Sequence, residues 1–177
     1  MDTTNIETYL NNFGQKVVDD AKANLQSDKG STAVGRSIRF EVVPTDTGFS
    51  TKFYMLDYGE FLDKGVSGNK KKRSFENYKG QTQSSPYSYT NKQPPPGILA
   101  KWISKKGIKG RDKKTGRFIT NLSLAFIIGR KIKRDGIKSL SFFQQPFGIE
   151  YEKLNEEILT ELKLDIETYI TTFYRPK

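Results

Sequence analysis

Residues 98–147 read ILAKWISKKGIKGRDKKTGRFITNLSLAFIIGRKIKRDGIKSLSFFQQPF and combine an apolar, aromatic frame with a basic centre. Within this stretch, residues 105–117 carry seven Lys or Arg and one Asp, so they cannot form core. Asp112 to Gly116 has the composition of a tight turn, which would project the charge on a stiff support. The aromatic residues around the block stand at helical or helix-entry positions, and we expect them to lie mainly in the core. They are Trp102, Phe142, Phe143 and Phe147.

Apolar residues at helical spacing lie on both sides of the basic block, residues 105–117, and predict helices there. Pro96 is suited to the first turn of a helix that ends near Gly107. A second helix begins after Thr120 or Asn121, and Gly136 is its C-terminal cap. Its predicted inward stripe is Leu124, Ala125, Ile128, Gly129 and Ile132. A third helix opens at Pro146, with the apolar stripe Phe147, Tyr151, Leu154, Ile158 and Leu162.

The sequence of the N-terminal part of the chain predicts another helix and a β-hairpin. Thr4 and Glu7 fit a capping box, and residues 28–30 supply the helix stop. The apolar stripe of this helix is Ile6, Leu10, Phe13, Val17, Ala21 and Leu25. Alternation over residues 38–43 and 49–55, with a turn between them, predicts two antiparallel strands.

Two further segments complete the prediction. A short helical turn or bent strand precedes Gly65, which closes it. The segment 165–173 fits a short helix and a strand equally well. We therefore expect an α+β fold, a small antiparallel sheet packed by three or four helices, as a single domain over residues 1–177.

Residues 67–96 are predicted to form a long extended arm. Their composition shifts to Lys, Ser, Gln, Asn, Gly and Tyr, and a loop of this length in a compact domain is usually functional or ordered on binding. A solvated arm has no use for several aromatic residues, so contact with a partner explains them. The subunit-contact residues predicted here are Tyr78, Tyr87, Tyr89, Pro94 and Pro95.

Composition excludes several kinds of chemistry. The chain has neither Cys nor His, so it has no disulfides, no thiolate chemistry and none of the usual zinc ligands or histidine bases. Asp57, Glu60 and Asp63 lie close in sequence, but no second motif supplies further ligands or a nucleophile, and we interpret them as solvated acids. We expect no enzymatic activity, no metal and no cofactor. Without a membrane span or signal peptide, the protein is expected to be soluble and made in the cytoplasm.

Charge is unevenly distributed along the chain. Residues 64–138 contain 20 Lys or Arg and three acids, a net charge of +17, whereas the remainder carries −7 of the total +10. Such a basic region suits a surface that faces a polyanion, although a merely solubilising hairpin at 105–117 stays an alternative. The residues predicted to face DNA phosphates are Lys70, Lys71, Lys72, Arg73, Lys109, Arg111, Lys113, Lys114 and Arg117.

An ordered set of short motifs over residues 38–162 resembles the tail-completion or head-tail joining (neck) proteins of tailed bacteriophages. The motifs are YGEFLDKG at 58–65, LAKWI at 99–103, GRFI at 116–119, LAF at 124–126 followed by Arg130, and Phe142-Phe143 before Pro146-Phe147. The chain departs from the family in residues 67–96, where relatives tend to be short. The departure suggests that the arm reaches a neighbouring subunit or a virion-specific partner.

The resemblance implies a structural protein of the virion and no catalysis. Such a protein is expected to form a homo-oligomeric ring at the head-tail connection, between the portal or adaptor side and the tail proteins, around the DNA channel. Its basic loops would contact DNA without reading sequence. The alternative is a small basic nucleic-acid-binding protein that acts as a monomer or dimer.

Overall fold

A computed structural model describes residues 4–27 and 32–173 of the chain, and it confirms the α+β class. The helices are α1 (Thr4–Ser27), α2 (Thr32–Ser37), α3 (Tyr58–Lys64), α4 (Pro96–Lys105), α5 (Asn121–Asp135) and α6 (Gln144–Phe173). The strands are β1 (Arg39–Thr45), β2 (Gly48–Tyr54), β3 (Ser74–Glu76) and β4 (Thr82–Ser84). The helix stop predicted at residues 28–30 lies outside the described residues.

The chain divides into two compact units. Unit 1 comprises Met1–Asp63, Glu76–Thr82 and Leu140–Lys177. Unit 2 comprises Lys64–Phe75 and Gln83–Ser139. The assignment of the whole chain to one domain stays a prediction. Among the residues that the structure describes, no helix has the length and apolar character that crossing a bilayer requires.

The predicted hairpin forms the sheet of unit 1. Strands β1 and β2 pair antiparallel, from Arg39 opposite Tyr54 to Thr45 opposite Gly48, which leaves a two-residue turn. Helix α1 packs on this pair with its predicted apolar stripe, and Val17 and Ala21 are fully buried. The core cluster continues through Val18, Ala21, Leu25, Val34, Ile38 and Phe142.

Aromatic rings extend this core along the beginning of α6. Phe53 makes edge-on contacts with Phe13, Phe143 and Phe147, at centroid distances of 6.2, 5.4 and 5.8 Å. Phe142 is completely buried, and Phe143 and Phe147 are half-buried. Their predicted core role is confirmed, and each such pair adds about 0.5–1.5 kcal/mol beyond the burial of its area.

Two buried aspartates cap helices in unit 1. The carboxylate of Asp165 accepts hydrogen bonds from the backbone amides of Asn5 (3.2 Å) and Ile6 (3.1 Å), which are orphan donors in the first turn of α1. Asp63 likewise accepts from the amides of Phe143 (2.8 Å) and Gln144 (3.3 Å), where α6 begins. The capping box predicted from Thr4 and Glu7 therefore missed the acceptor that these α1 amides use, which comes from the other end of the chain.

Helix α6 runs without a break to Phe173, which resolves the ambiguity over residues 165–173 in favour of helix. Its predicted stripe was partly wrong. Leu154 and Ile158 are half-buried as expected, but Tyr151 and Leu162 are exposed, whereas Glu150 and Asp165 are buried. The reason is that the face of α6 that packs on α1 includes polar residues that serve as hydrogen-bond and ion-pair partners.

Unit 2 is built on the packing of α4 against α5. Ile103 and Ala125 are completely buried in it. Of the two predicted caps, Thr120 and Asn121, the Thr120 hydroxyl caps α5 by accepting from the amide of Ser123. Trp102 was expected in the core, and this was wrong: 44% of its surface is exposed. Ile103, its neighbour in sequence, is buried, and adjacent helical residues face directions about 100° apart.

The predicted arm is largely extended, and backbone hydrogen bonds connect it to other parts of the chain. It contains the short sheet of β3 and β4. Within unit 2, the amide of Ser67 donates to the carbonyl of Tyr87, and the amide of Tyr89 donates back to the carbonyl of Ser67, both at 2.8 Å. Val66 exchanges backbone hydrogen bonds with Ile137 at 2.9 and 2.8 Å. These bonds hold the beginning of the segment against the residues that follow α5.

Candidate nucleic-acid interface

Unit 2 carries nearly all of the excess positive charge. It holds 19 Lys or Arg and two acids, Asp112 and Asp135, for a net charge of +17. The sequence assigned to unit 1 holds 11 Lys or Arg and 18 acids, a net of −7. The boundaries of the basic region read from the sequence, 64 and 138, thus nearly coincide with those of a compact unit. A single folded body therefore concentrates the charge, which suits the phosphate backbone of a nucleic acid.

An open depression of ≈ 630 Å³, which we call the basic groove, lies on unit 2. It is lined by Asn69, Lys70, Ile127, Arg130, Lys131, Lys133 and Arg134. Helix α5 supplies every lining residue except the first two, which come from the loop that follows the Val66 bridge. The groove therefore unites part of the predicted basic arm with the last turns of a helix.

Backbone hydrogen bonds fix the loop against the end of α5. The amide of Asn69 donates to the carbonyl of Lys133 at 2.9 Å, and the amides of Lys70 and Lys71 donate to the carbonyl of Arg134 at 3.1 and 3.2 Å. These carbonyls are among those that a helix leaves without an internal partner. The close approach requires Gly68, because a Cβ there would overlap the carbonyl of Arg134. The loop cations are thus carried on a fixed backbone.

The cations of the groove have different roles. Lys133 donates to the carbonyl of Asn91 at 2.7 Å, and Arg134 forms a two-point ion pair with Asp135. This pairing raises the pKa of Arg134 and lowers that of Asp135. Lys70, Arg130 and Lys131, in contrast, form no ion pair with any residue that the structure describes. These three exposed side chains are the ones available to an incoming phosphate.

Sequence reasoning missed Arg130 and Lys131 as phosphate-facing residues. Cations in the last turn of a helix are also favourable because they lie near its carbonyl end, so these residues have a structural explanation as well. What the sequence does not reveal is that the loop at Lys70 returns to this helix end, because the bonds that bring it there are between backbone groups. The signal that was available was the density of cations at positions 130, 131, 133 and 134.

The second basic site is the basic turn, residues 109–117. Arg111 pairs with Phe118 in an antiparallel bridge, and the amide of Asp112 donates to the carbonyl of Arg117 at 2.9 Å. The side chain of Asp112 accepts from the amides of Thr115 (2.8 Å) and Lys114 (2.9 Å), and these bonds lower its pKa. The predicted tight turn is confirmed, and a single carboxylate shapes it.

Phe118 adds an exposed aromatic face to the basic turn. This residue is 61% exposed, the guanidinium of Arg111 lies 4.4 Å from the centroid of its ring, and the ammonium of Lys109 lies 5.9 Å from that centroid. Both distances fit cation–π attraction, which is worth about 0.5–1 kcal/mol at exposed sites. Phe118 thereby holds two of the predicted DNA-facing cations at the surface.

The remaining predicted residues lie in differing surroundings. Lys71, Lys72, Lys113, Lys114 and Arg117 are all exposed, as a phosphate contact requires. Arg73 is half-buried, and its Nε donates to the carbonyl of Asp135 at 2.8 Å, which gives it a structural role in unit 2.

The predicted subunit-contact residues include one with a clear internal role. The ring of Tyr78 packs edge-on against Phe147 (5.6 Å) and Tyr151 (5.7 Å), and its amide donates to the side chain of Gln144 at 3.1 Å. Contact with a partner is therefore not needed to explain this aromatic residue. Tyr87, Tyr89 and Pro94 are half-buried, and Pro95 is exposed.

The acids Asp57, Glu60 and Asp63 do not form a metal site. Within residues 4–27 and 32–173, no group of three or more His, Cys, Asp or Glu side chains is arranged to hold a metal ion. Asp57 and Glu60 are exposed, but the interpretation of Asp63 as a solvated acid was wrong, because it is 2% exposed and caps α6.

Comparison with protein-family models, with curated proteins and with solved structures finds no match to this chain.

Proposed function

We propose that this protein is a structural component of a tailed-phage virion, a neck or tail-completion protein that forms a homo-oligomeric ring around the DNA channel. The ring would lie between the portal or adaptor and the tail, with unit 2 directed towards the DNA. The observation that carries the proposal is the concentration of a net +17 in one compact unit, with Lys70, Arg130 and Lys131 unpaired among the described residues. The order of short motifs in the sequence supplies the assignment to a virion.

The proposed contact with DNA is non-specific. Lysine and arginine side chains that face phosphates release condensed counterions but read no bases. Such a contact suits a channel through which every sequence of a genome has to pass. No catalytic role is proposed for any residue.

The ring is tested by negative-stain electron microscopy and mass photometry of the purified full chain. We expect closed rings, either of the protein alone or after addition of portal and tail components. A particle that stays monomeric and joins neither would contradict the ring, and DNA binding by that monomer would favour a nucleic-acid-binding protein instead.

The groove is tested by DNA binding as a function of salt. Replacement of Lys70, Arg130 and Lys131 by Gln is expected to weaken binding and to reduce the slope of log K against log salt by about one for each phosphate that the variant no longer neutralises. An unchanged affinity and slope would contradict the role proposed for the basic groove.

A further inference from the structure

Helix α6 presents an apolar stripe to solvent. Its members recur at steps of three and four residues, the spacing of one helix face. They are Leu159, Leu162, Ile166, Tyr169 and Ile170, and each is between 36% and 67% exposed. The same helix buries Glu150 and Asp165 on the side that packs on α1. A helix that buries carboxylates and exposes aliphatic side chains is expected to have a second partner.

Charge limits what that partner can be. Helix α6 carries seven acids and two lysines, a net of −5. Glu152, Glu156 and Glu167 are exposed, and helical spacing places them beside the apolar stripe. Lys163 lies on the same flank and pairs with Glu167 at 3.7 Å, so the flank keeps a net charge of −2. Two such stripes brought together from two copies would repel each other, so pairing of α6 with another α6 is disfavoured. The occupant should combine exposed apolar side chains with positive charge.

The α4–α5 pair of unit 2 has both properties. Ile98 and Trp102 on α4 and Leu122 and Phe126 on α5 are exposed apolar residues of this pair, whereas the exposed Ile127 of α5 lines the basic groove. Lys101 and Lys105 on α4 are exposed as well, within a unit whose net charge is +17. Helical spacing puts the α4 members on one side of α4 and the α5 members on one side of α5, and the two helices pack together. We call these two neighbouring helix sides, with their four apolar and two basic residues, the receiving face.

We propose that the α6 stripe of one copy docks on the receiving face of the next copy. This inference rests on the proposed ring and names the contact that builds it. Because the two surfaces differ, the contact is heterologous. Repetition of a heterologous contact closes a ring when the rotation from one copy to the next adds up to one full turn. Glutamates of α6 would face lysines of α4 across the apolar centre, so higher salt should weaken the assembly.

Matched serine variants of the full chain test the stripe by sedimentation velocity in the absence of DNA. Leu159→Ser with Ile166→Ser should raise the dissociation constant roughly tenfold or more for each side chain removed from the interface. Leu164→Ser is the control, because Leu164 is 43% exposed, close to the 40% of Ile166, but stands about half a helical turn away from the stripe. Circular dichroism checks that each variant is folded.

Mixing two defective proteins tests the direction of the contact. A receiving-face variant, Ile98→Ser with Leu122→Ser, should be as dissociated as the stripe variant when each is alone. Their mixture should form dimers and nothing larger, because one intact pair of surfaces remains between the two proteins. A receiving-face variant that stays assembled while the stripe variant dissociates would overturn the proposal, and so would equal dissociation of the Leu164 control.

Two outcomes separate this inference from the proposed function. If the wild-type chain assembles and both variants assemble equally well, the interface is wrong and the ring stands. If the wild-type chain stays monomeric at all concentrations tested, with and without portal and tail components, the ring and this interface both fail.

Discussion

Asp63 and Asp165 satisfy backbone donors that belong to segments far away in sequence. Asp165 reaches amides about 160 residues earlier in the chain, and Asp63 reaches amides about 80 residues later. Both carboxylates are almost completely buried. A buried amide without an acceptor costs about 1–3 kcal/mol, so these two side chains fix tertiary structure as much as they fix helix ends.

Replacement of Asp63 by Ala is expected to destabilise the protein by about 1–3 kcal/mol, because it leaves the amides of Phe143 and Gln144 without their acceptor. Urea unfolding followed by circular dichroism measures the change. Asp20→Ala is the control, since Asp20 is exposed in the middle of α1 and caps no helix, and a surface change of this kind stays within about 0.5 kcal/mol. Equal effects of the two substitutions would contradict a capping role for Asp63.

Tyr9 should make stability depend on pH in alkaline solution. Burial, a hydrogen bond with Glu157 and the charge of that carboxylate raise the pKa of Tyr9 from 10.0 to about 12. The folded protein therefore retains this proton at pH values where the unfolded chain has lost it. Its contribution to stability is fully present below pH 10 and is lost as the pH rises from 10 to about 12.

Urea unfolding of the wild type and of Tyr9→Phe over this pH range tests that effect. The free energy of unfolding should fall less steeply between pH 10 and 12 in the variant, which lacks the titrating hydroxyl. Parallel curves for the two proteins would contradict the prediction.

At the scale of elements, helix α6 depends on a close approach to backbone that precedes β4. A Cβ at Gly148 would overlap the carbonyl oxygen of Tyr78, which is backbone and cannot rotate away. Gly148→Ala is thus expected to destabilise the protein by about 1–3 kcal/mol, even though Ala is favoured over Gly within a helix by about 1 kcal/mol.

Gly97→Ala in α4 is the matched control, because no atom lies within 4 Å of the added Cβ. Thermal unfolding should show a lower Tm for the Gly148 variant and an unchanged or slightly higher Tm for the Gly97 variant. A Gly148 variant as stable as the wild type would show that the close approach to Tyr78 can relax without cost.

Sequence patterns predicted helix ends and turns well where residues a few positions apart in the sequence determine them. The cap at Thr120, the Gly136 that ends α5 and the turn shaped by Asp112 all depend on residues within a few positions. The inward face of α6 was predicted only in part and the position of Trp102 was predicted wrongly, because both depend on which elements pack together. The basic groove was predicted only in part for the same reason. Lys70 lies beside α5 because of backbone hydrogen bonds, and bonds between backbone groups do not depend on a particular side chain that a sequence pattern could show.

At the scale of the molecule, the position of the charge matters more than its total. The net +10 is the sum of a unit with +17 and a remainder with −7. Since screening in physiological salt limits charge effects to about 8 Å, a phosphate responds to the cations near it and not to the total. DNA binding should therefore depend on which lysines or arginines are removed.

A pair of variants with equal net charge tests this dependence. Lys113→Ser with Lys114→Ser removes two exposed cations from unit 2, and Arg36→Ser with Lys52→Ser removes two exposed cations from unit 1. Gel-shift or fluorescence anisotropy with duplex DNA should show weaker binding and a shallower salt dependence for the first pair only. Equal losses would mean that the basic turn has no special role.

The hydrogen bonds between Asp165 and the start of α1 can form only late in synthesis of the chain. Helix α1 is the first described element to leave the ribosome, yet the carboxylate that completes its first turn is made about 160 residues later. At roughly 5–20 residues per second, α1 waits roughly 8–32 s for that partner. Its buried apolar stripe lacks the complete α6 side of unit 1 throughout this interval, because α6 extends to Phe173. A nascent chain stopped before residue 165 should therefore be more readily bound by chaperones or cut by proteases than the finished protein.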